Sequence, residues 1–584
     1  MTPDYDFETR RSGAAGVIFW IFAATVLFMF LGKNALWGSE DRWAEITREM
    51  LITGDWLHTA INWKIYFDKP QLSYWFIIPW AKLLGVNELA VRIPSAIAAL
   101  AGLFGTIELA RRTADHKTAV LSGWMLLSCY GFIFWGRIAS ADMANMSAAV
   151  LAAAWFYCAE EKPAFWKYLV FYLIAMGGAL AKGIPAFAVP VVMLIPHLLH
   201  HNRWLRHLKF GNFAAACIGL AVYFTPFYLA SVMTPAETLL MPDSRMTGGI
   251  EMVWHENFVN AFAAPGHSDP FYSYLYNLPR ILLPWSLFFA AAAAAAVTGW
   301  KQLTENQKEL ALGTLLVFLM FSCSALRRWY HILPLVPFCC IFTASMIYSE
   351  GREKYWDTVI TFCRVPVIIA GAAGLSAPVM LPVFKMMFKH LPPALSVAAV
   401  PLGGLLVLIV CMLDDKPGNR IERITGIPCR LASLAVGFAV ISAVIFGAVQ
   451  PSLTVYRTEK PFVSRMKTVL AGVPESCVCF YNTDPGAAFM FYMNWQKPVV
   501  TVKKQEQGSE NGLRGFILRN SGKKAAIICR DRESDLEPLE RELASCGIDI
   551  NKTVSHTEPG NGKKWRVFLL DTLISAPAGS TIEK

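Results

Sequence analysis

Apolar residues along this chain come in long blocks rather than in strand-like alternation. A helix crossing a bilayer needs roughly 20 mostly apolar residues. Thirteen segments approach that length, near 16–32, 89–110, 118–136, 143–158, 166–181, 184–200, 212–232, 278–298, 309–325, 330–348, 362–385, 393–412 and 428–449. The pattern predicts about thirteen transmembrane helices over residues 1–450, with longer polar connections at 33–88 and 233–277. The stretch 71–84, "QLSYWFIIPWAKLL", is short and contains Pro79, so it is expected to lie on or partly in the membrane rather than cross it. Beyond residue 450 the pattern changes: short runs such as "SCVCFYN", "KAAIICR" and "WRVFLLD" alternate with helical "RDRESDLEPLEREL". That alternation predicts a soluble α/β domain over 451–584.

Arg10-Arg11 precede the first segment and no small-residue cleavage site follows it, which marks a retained anchor. Lys and Arg collect in "HHNRWLRHLK", "KQLTENQKE", "EGREK" and "DDKPGNRIER". Counted from a cytoplasmic N-terminus, thirteen crossings put all four on the inside, as the positive-inside rule requires. The expected location is a bacterial inner membrane, with the C-terminal domain in the periplasm.

Composition agrees: 16% of residues are charged, 55% are hydrophobic, and mean hydropathy is +0.40. The net charge of +10 reflects topology and attraction to anionic membrane lipid, not a nucleic-acid partner. There is no P-loop and no strand-linked GxGxxG, so no nucleotide cofactor is expected. Of the thirteen cysteines, Cys477, Cys479, Cys529 and Cys546 fall in the C-terminal domain; one disulfide there or reduced, buried thiols both suit the spacing.

Charges at a membrane boundary are costly and mark candidate sites. The first external connection carries Glu40, Asp41, Arg42, Glu45, Arg48, Glu49 and Asp55, then Asp68-Lys69-Pro70. A structural reading exists for its start. Ser39 suits an N-cap, Glu40 and Asp41 suit a first helical turn worth ~0.3–1 kcal/mol each, and Glu45, Arg48 and Glu49 suit a solvated face with ion pairs. On the same side the topology places Asp142 with Arg137 nearby, Lys182, Arg280 and Arg327-Arg328, followed by Tyr330 in "YHILPLVP". Such cations can bind a lipid phosphate and stabilise it as a leaving group, while a carboxylate takes the proton of an attacking hydroxyl. A phosphate leaves as an anion, so no second carboxylic acid is required.

The motifs "SEDRWAEITREMLITGDW…YFDKPQLSYW", "NELAVRIPSAIAAL", "RIASADM", "HSDPFYSY…LPW" and "YHILPLVP" resemble the bacterial GT-C membrane glycosyltransferases. Within them the resemblance is to the branch of lipid A aminoarabinose transferases, in the wider group related to protein O-mannosyltransferases. It covers about residues 15–350; over the C-terminal domain it is architectural only. The resemblance implies thirteen spans, a periplasmic active site, a polyprenyl (undecaprenyl) phosphate sugar donor, and an envelope acceptor such as lipid A. Lys69 matches the lysine that contacts the donor phosphate, and Asp142 matches a second functional aspartate. Asp68 stands where relatives carry a glutamate that binds a divalent metal (zinc, or magnesium or manganese) together with a loop histidine, matched here by His267.

The departure lies in Ser39-Glu40-Asp41-Arg42, where the family reads Asp-Glu-Gly-Arg. Ser39 occupies the position of the usual base and cannot act as one. The role passes to Glu40, which keeps its family position, to Asp41 or to Asp142. The expected activity is an inverting transfer of one sugar, aminoarabinose or a relative, to lipid A. Protein O-mannosylation or another envelope-glycan transfer is the alternative within the class. A lipid-linked sugar flippase would also explain cations near a lipid phosphate, and a catalytically inactive binding protein fits the loss of the base at Ser39.

Overall fold

The structure, a computed structural model, describes residues 3–67, 69–161, 163–200, 202–233, 249–254, 259, 262–263, 268–349, 351, 353–387, 394–412, 420–452, 458–504, 512–546, 548, 554–560 and 563–570. The chain divides into two compact units. One comprises Met1–Asn34, Trp56–His58 and Phe67–Ser452; the other comprises Ala35–Asp55, Thr59–Tyr66 and Leu453–Lys584.

The first unit is helical, and each of the thirteen apolar segments contains helix. By length and composition, four helices among the described residues can cross a membrane: Glu88–Thr113, Phe210–Met233, Lys354–Val379 and Cys429–Gly447. Two bent pairs would make six. Leu72–Leu84 is one of the shorter apolar helices and accommodates Pro79 within it.

The two bent pairs correct the expectation of single straight spans at 118–136 and 278–298. His116–Ser128 and Tyr130–Gly136 meet at 64°, while Ser273–Leu282 and Ser286–Thr298 meet at 118°. Each break faces the other. The Tyr130 N–H donates to the Leu283 carbonyl at 2.8 Å, and the Trp285 indole N–H donates to Ser128 Oγ at 2.9 Å. Pro284 brings no N–H to its own helix, and Gly131 lets the chains approach: a Cβ there would fall 2.4 Å from Ile281 Cγ2.

Cations also secure the first helix, Pro3–Phe28, whose last carbonyls have no partners of their own. Arg137 donates through Nη1 to Val26 O at 2.6 Å and Leu27 O at 3.0 Å, and through Nη2 to Met29 O at 2.6 Å. Arg92 donates to Leu31 O at 2.9 Å and Asn34 O at 2.7 Å. Arg137 is therefore turned to a helix C-terminus, where positive charge is favoured, rather than to Asp142.

The second unit centres on a mixed sheet. Its strands, with a separate hairpin, are β1 (Ala60–Ile61), β2 (Lys64–Ile65), β3 (Val478–Tyr481), β4 (Val500–Val502), β5 (Ala525–Arg530), β6 (Val554–Gly560) and β7 (Lys563–Leu570). The sheet order is β4-β3-β5-β7-β6, with β3 parallel to β4 and β5, and β7 antiparallel to β5 and β6. Strand β3 is buried along its whole length, as a parallel strand covered on both faces must be. On one face Phe462, Val463, Phe489 and Met490 pack with Phe480 and Ile528; on the other Phe516, Leu539 and Leu543 pack with Cys479, Ile527 and Cys529. Cys477, Cys479 and Cys529 are buried free thiols, and Cys546 is a half-buried one.

Candidate active site

In the first unit, the helix Asp142–Ala159 begins at its acidic residue and the helix Phe165–Lys182 ends at its basic one. Each charge sits at the terminus that favours it. They meet: Lys182 Nζ donates to Asp142 Oδ1. Asn145 pins the second helix end, giving Nδ2 to Gly183 O at 2.8 Å and Gly178 O at 3.2 Å.

An aromatic cluster adjoins the lysine through one ring. Its ammonium lies 4.8 Å from the Tyr330 ring centre, a cation–π distance. Tyr330 lies 4.8 Å from Trp135, and Trp135 lies 5.6 Å from Trp329. Trp329 and Tyr330 also meet, at 5.7 Å, closing a triangle of rings, and Arg280 lies 4.7 Å from the Trp329 ring. Trp135 and Arg280 are carried by Tyr130–Gly136 and Ser273–Leu282, one limb of each bent pair. The mutual break of the two spans therefore fixes both groups. Lys69, Lys182 and Arg328 all lie near enough to His331 to act on it electrostatically. The structure thus brings Lys69, Asp142, Lys182, Arg280, Arg328 and Tyr330 into one neighbourhood.

Arg327 has a different role. Its Nε donates to Asp269 O at 2.9 Å and its Nη1 to Ser324 O, while its backbone exchanges hydrogen bonds with Ser268 and Asp269. These bonds tie the loop at 268–269 to the loop at 324–327. Asp68 and His267 lie outside the described residues. Among the described residues no group of three or more His, Cys, Asp or Glu side chains is placed to hold a metal.

Glu40 and Asp41 lie in the second unit, at the start of the helix Glu40–Thr53. Ser39 makes no side-chain cap bond. Glu40, the first residue of the helix, turns its side chain back to the preceding chain, where Oε2 accepts the Trp37 N–H at 3.0 Å. Glu40 is buried, and Asp41 is partly buried and accepts the Arg42 N–H at 2.8 Å. Burial raises the Asp41 carboxyl to about 6, Glu459 and Glu40 adding to the rise while Arg42 opposes it.

The solvated face expected of Glu45, Arg48 and Glu49 is instead buried, at 0%, 2% and 1% exposure. Arg48 forks onto Glu45, Nε to Oε2 at 2.8 Å and Nη2 to Oε1 at 2.7 Å. Glu49 accepts the N–H groups of Asn62 at 2.6 Å and Trp63 at 3.1 Å. Burial and the neighbouring Glu45 carboxylate raise Glu49 to about 8.

Trp135, Trp329 and His331 were not singled out from sequence. An available signal was the aromatic density around Arg327-Arg328 in "RRWYH".

A family model for dolichyl-phosphate-mannose-protein mannosyltransferases matches residues 68–229. An undecaprenyl phosphate-α-4-amino-4-deoxy-L-arabinose arabinosyl transferase of Aeromonas salmonicida is 28% identical over 410 residues, 66% of this chain and 70% of that one. Its counterpart in Shewanella sediminis is 30% identical, over 58% of this chain and 61% of that one. Among solved structures, ArnT of Cupriavidus metallidurans bound to undecaprenyl phosphate superposes with a TM-score of 0.69 at 18% identity, covering 96% of this chain and 98% of that one. The chain shares the fold of that transferase. Its sequence is similar to those of undecaprenyl phosphate-aminoarabinose arabinosyl transferases.

Proposed function

We propose that this chain transfers aminoarabinose, or a closely related sugar, from undecaprenyl phosphate to lipid A, with inversion at the anomeric carbon. The observation that carries this reading is the row Asp142, Lys182 and Tyr330, with Lys69 and Arg328 close by, in a fold shared with a transferase solved with undecaprenyl phosphate. The acceptor oxygen attacks the anomeric carbon and gives its proton to a carboxylate. The bond from that carbon to the phosphate oxygen breaks, and undecaprenyl phosphate leaves with the electron pair. Lys69, Lys182 and Arg328 neutralise the charge that accumulates on it. Asp142 keeps Lys182 in place and balances one of the positive charges.

Asp41 is assigned as the base, ahead of Glu40. Glu40 is buried and accepts the Trp37 N–H, whereas Asp41 is partly buried with its carboxyl raised to about 6, close to the pH at which it must work. A divalent cation, where one is bound, would be held by Asp68 and His267, and no step above is routed through it. The thirteen-crossing topology, with a cytoplasmic N-terminus and a periplasmic C-terminal domain, belongs to this proposal and is supported by the distribution of Lys and Arg.

Purified protein in nanodiscs, given undecaprenyl phosphate-aminoarabinose and lipid A, is expected to yield lipid A heavier by one sugar. The mannosyltransferase match over residues 68–229 favours a second reading, transfer of mannose to protein. Glycosylated peptide from a polyprenyl-phosphate mannose donor, with lipid A unchanged, would select that reading.

A further inference from the structure

Within the second unit, three separate points of the first-loop segment are tied to one short stretch of the C-terminal part. The Leu36 N–H donates to the Tyr492 hydroxyl at 2.7 Å. Arg48 Nη1 donates to the Trp495 carbonyl at 2.5 Å. Asn62 makes a two-way pair with Val499, giving Nδ2 to its carbonyl at 3.0 Å and accepting its N–H on Oδ1 at 2.7 Å. Residues 492–499 therefore grip the segment before, within and after the helix Glu40–Thr53.

The third grip reaches the helix by a relay. Strands β1 and β2 pair Ile61 with Lys64, so Asn62 and Trp63 form a two-residue turn, with φ of +56° and +58°. Both angles are left-handed, as such turns require, and an aromatic residue reaches that region only under constraint. The constraint is Glu49, which accepts both turn N–H groups and belongs to the helix that begins with Glu40 and Asp41. Arg48 and Glu45 bury their charges beside it. A solvated loop helix needs none of this; a helix whose first turn must be held still does.

We infer that the stretch Tyr492–Val499 is the mount for the acidic pair, and that Asn62 is a positioning residue acting through Glu49. The C-terminal α/β unit is then part of the catalytic apparatus rather than an appendage. The inference rests on the assignment of the base to Asp41 or Glu40.

The test uses the full chain in nanodiscs with Asn62→Gly. Glycine keeps the left-handed turn and removes only the tether to Val499. Faster amide hydrogen exchange over residues 60–65 reports that the tether is cut. The expected result is a kcat lowered about tenfold or more with donor KM within about twofold, and an acidic limb of the pH–rate profile displaced from about 6 toward the ordinary carboxylate range as Asp41 loses burial. Faster exchange with kcat and pH limb unchanged overturns the mount. Asn62→Asp keeps the acceptor for the Val499 N–H and is expected to fall between wild type and glycine; it decides the matter if Asn62→Gly does not fold. Turnover surviving the double variant Glu40→Gln/Asp41→Asn overturns the base assignment and the catalytic meaning of the mount together. Loss of turnover in that variant, with Asn62→Gly unaffected, overturns the mount alone.

Discussion

Lys182 donates a hydrogen bond to Asp142 at the junction of two helix ends, and the same ammonium lies 4.8 Å from the Tyr330 ring. A lysine held by a carboxylate on one side and an aromatic face on another has lost much of its rotamer freedom. Its remaining N–H directions are set before any ligand arrives. Such preorganisation suits a leaving phosphate, which gains the interaction without first ordering the side chain.

Lys182→Ala is expected to raise donor KM roughly 10- to 150-fold, since a hydrogen bond to a charged group is worth ~1.5–3 kcal/mol. Asp142→Ala leaves Lys182 without its partner and is expected to act through the same bond. A double-mutant cycle on kcat/KM should show a coupling of about 0.5–3 kcal/mol. Strictly additive losses would mean that the two residues act separately.

Asp41→Asn removes the proposed base and is expected to lower kcat by roughly 10²–10⁴-fold. In the unsubstituted protein, kcat should rise with pH through about 6, because the base must be ionised. Steady-state rates across pH 4.5–8 check both. A variant rate with the same acidic limb would place the base elsewhere.

The raised Glu49 has a stability consequence of definite sign. Folded, the group holds its proton up to about 8, whereas the unfolded chain releases it near 4.5, in the ordinary glutamate range. The folded state binds more protons between those values, so its contribution to stability is complete below about 4.5 and is lost as pH rises toward 8. Chemical-denaturation midpoints followed by tryptophan fluorescence should fall across that window. In Glu49→Gln the slope should flatten while the protein remains folded.

Gly131→Ala tests the meeting of the two bent spans. The new Cβ would fall 2.4 Å from Ile281 Cγ2 and 3.2 Å from Ile281 Cβ, and a β-branched side chain cannot swing away freely. The expected cost is about 1–3 kcal/mol of stability. Ile281 shares its helix with Arg280, so donor KM should rise as well. A thermal melt and a donor titration measure the two effects.

What the sequence determined by itself is what depends on local composition and on charge. Apolar length located thirteen helical segments, the change of pattern at 450 announced the α/β sheet, and the loop motifs carried the resemblance that the fold and the relatives support. Lys69, Asp142, Lys182 and Arg328 stand out in the sequence because charge between apolar segments is scarce. What only tertiary structure decided are the facts that require a distant partner. No window around Glu45, Arg48 and Glu49 reveals that Trp495, Asn62 and Trp63 will bury them, so an amphipathic-looking helix reads as solvated. The bends at 129 and 283–285 arise because each broken span supplies a hydrogen bond to the other, a contact across some 150 residues that hydropathy cannot register. Ser39 suits a cap by local propensity, yet its side chain makes no cap bond, and Glu40 accepts the Trp37 N–H that the fold turns toward it.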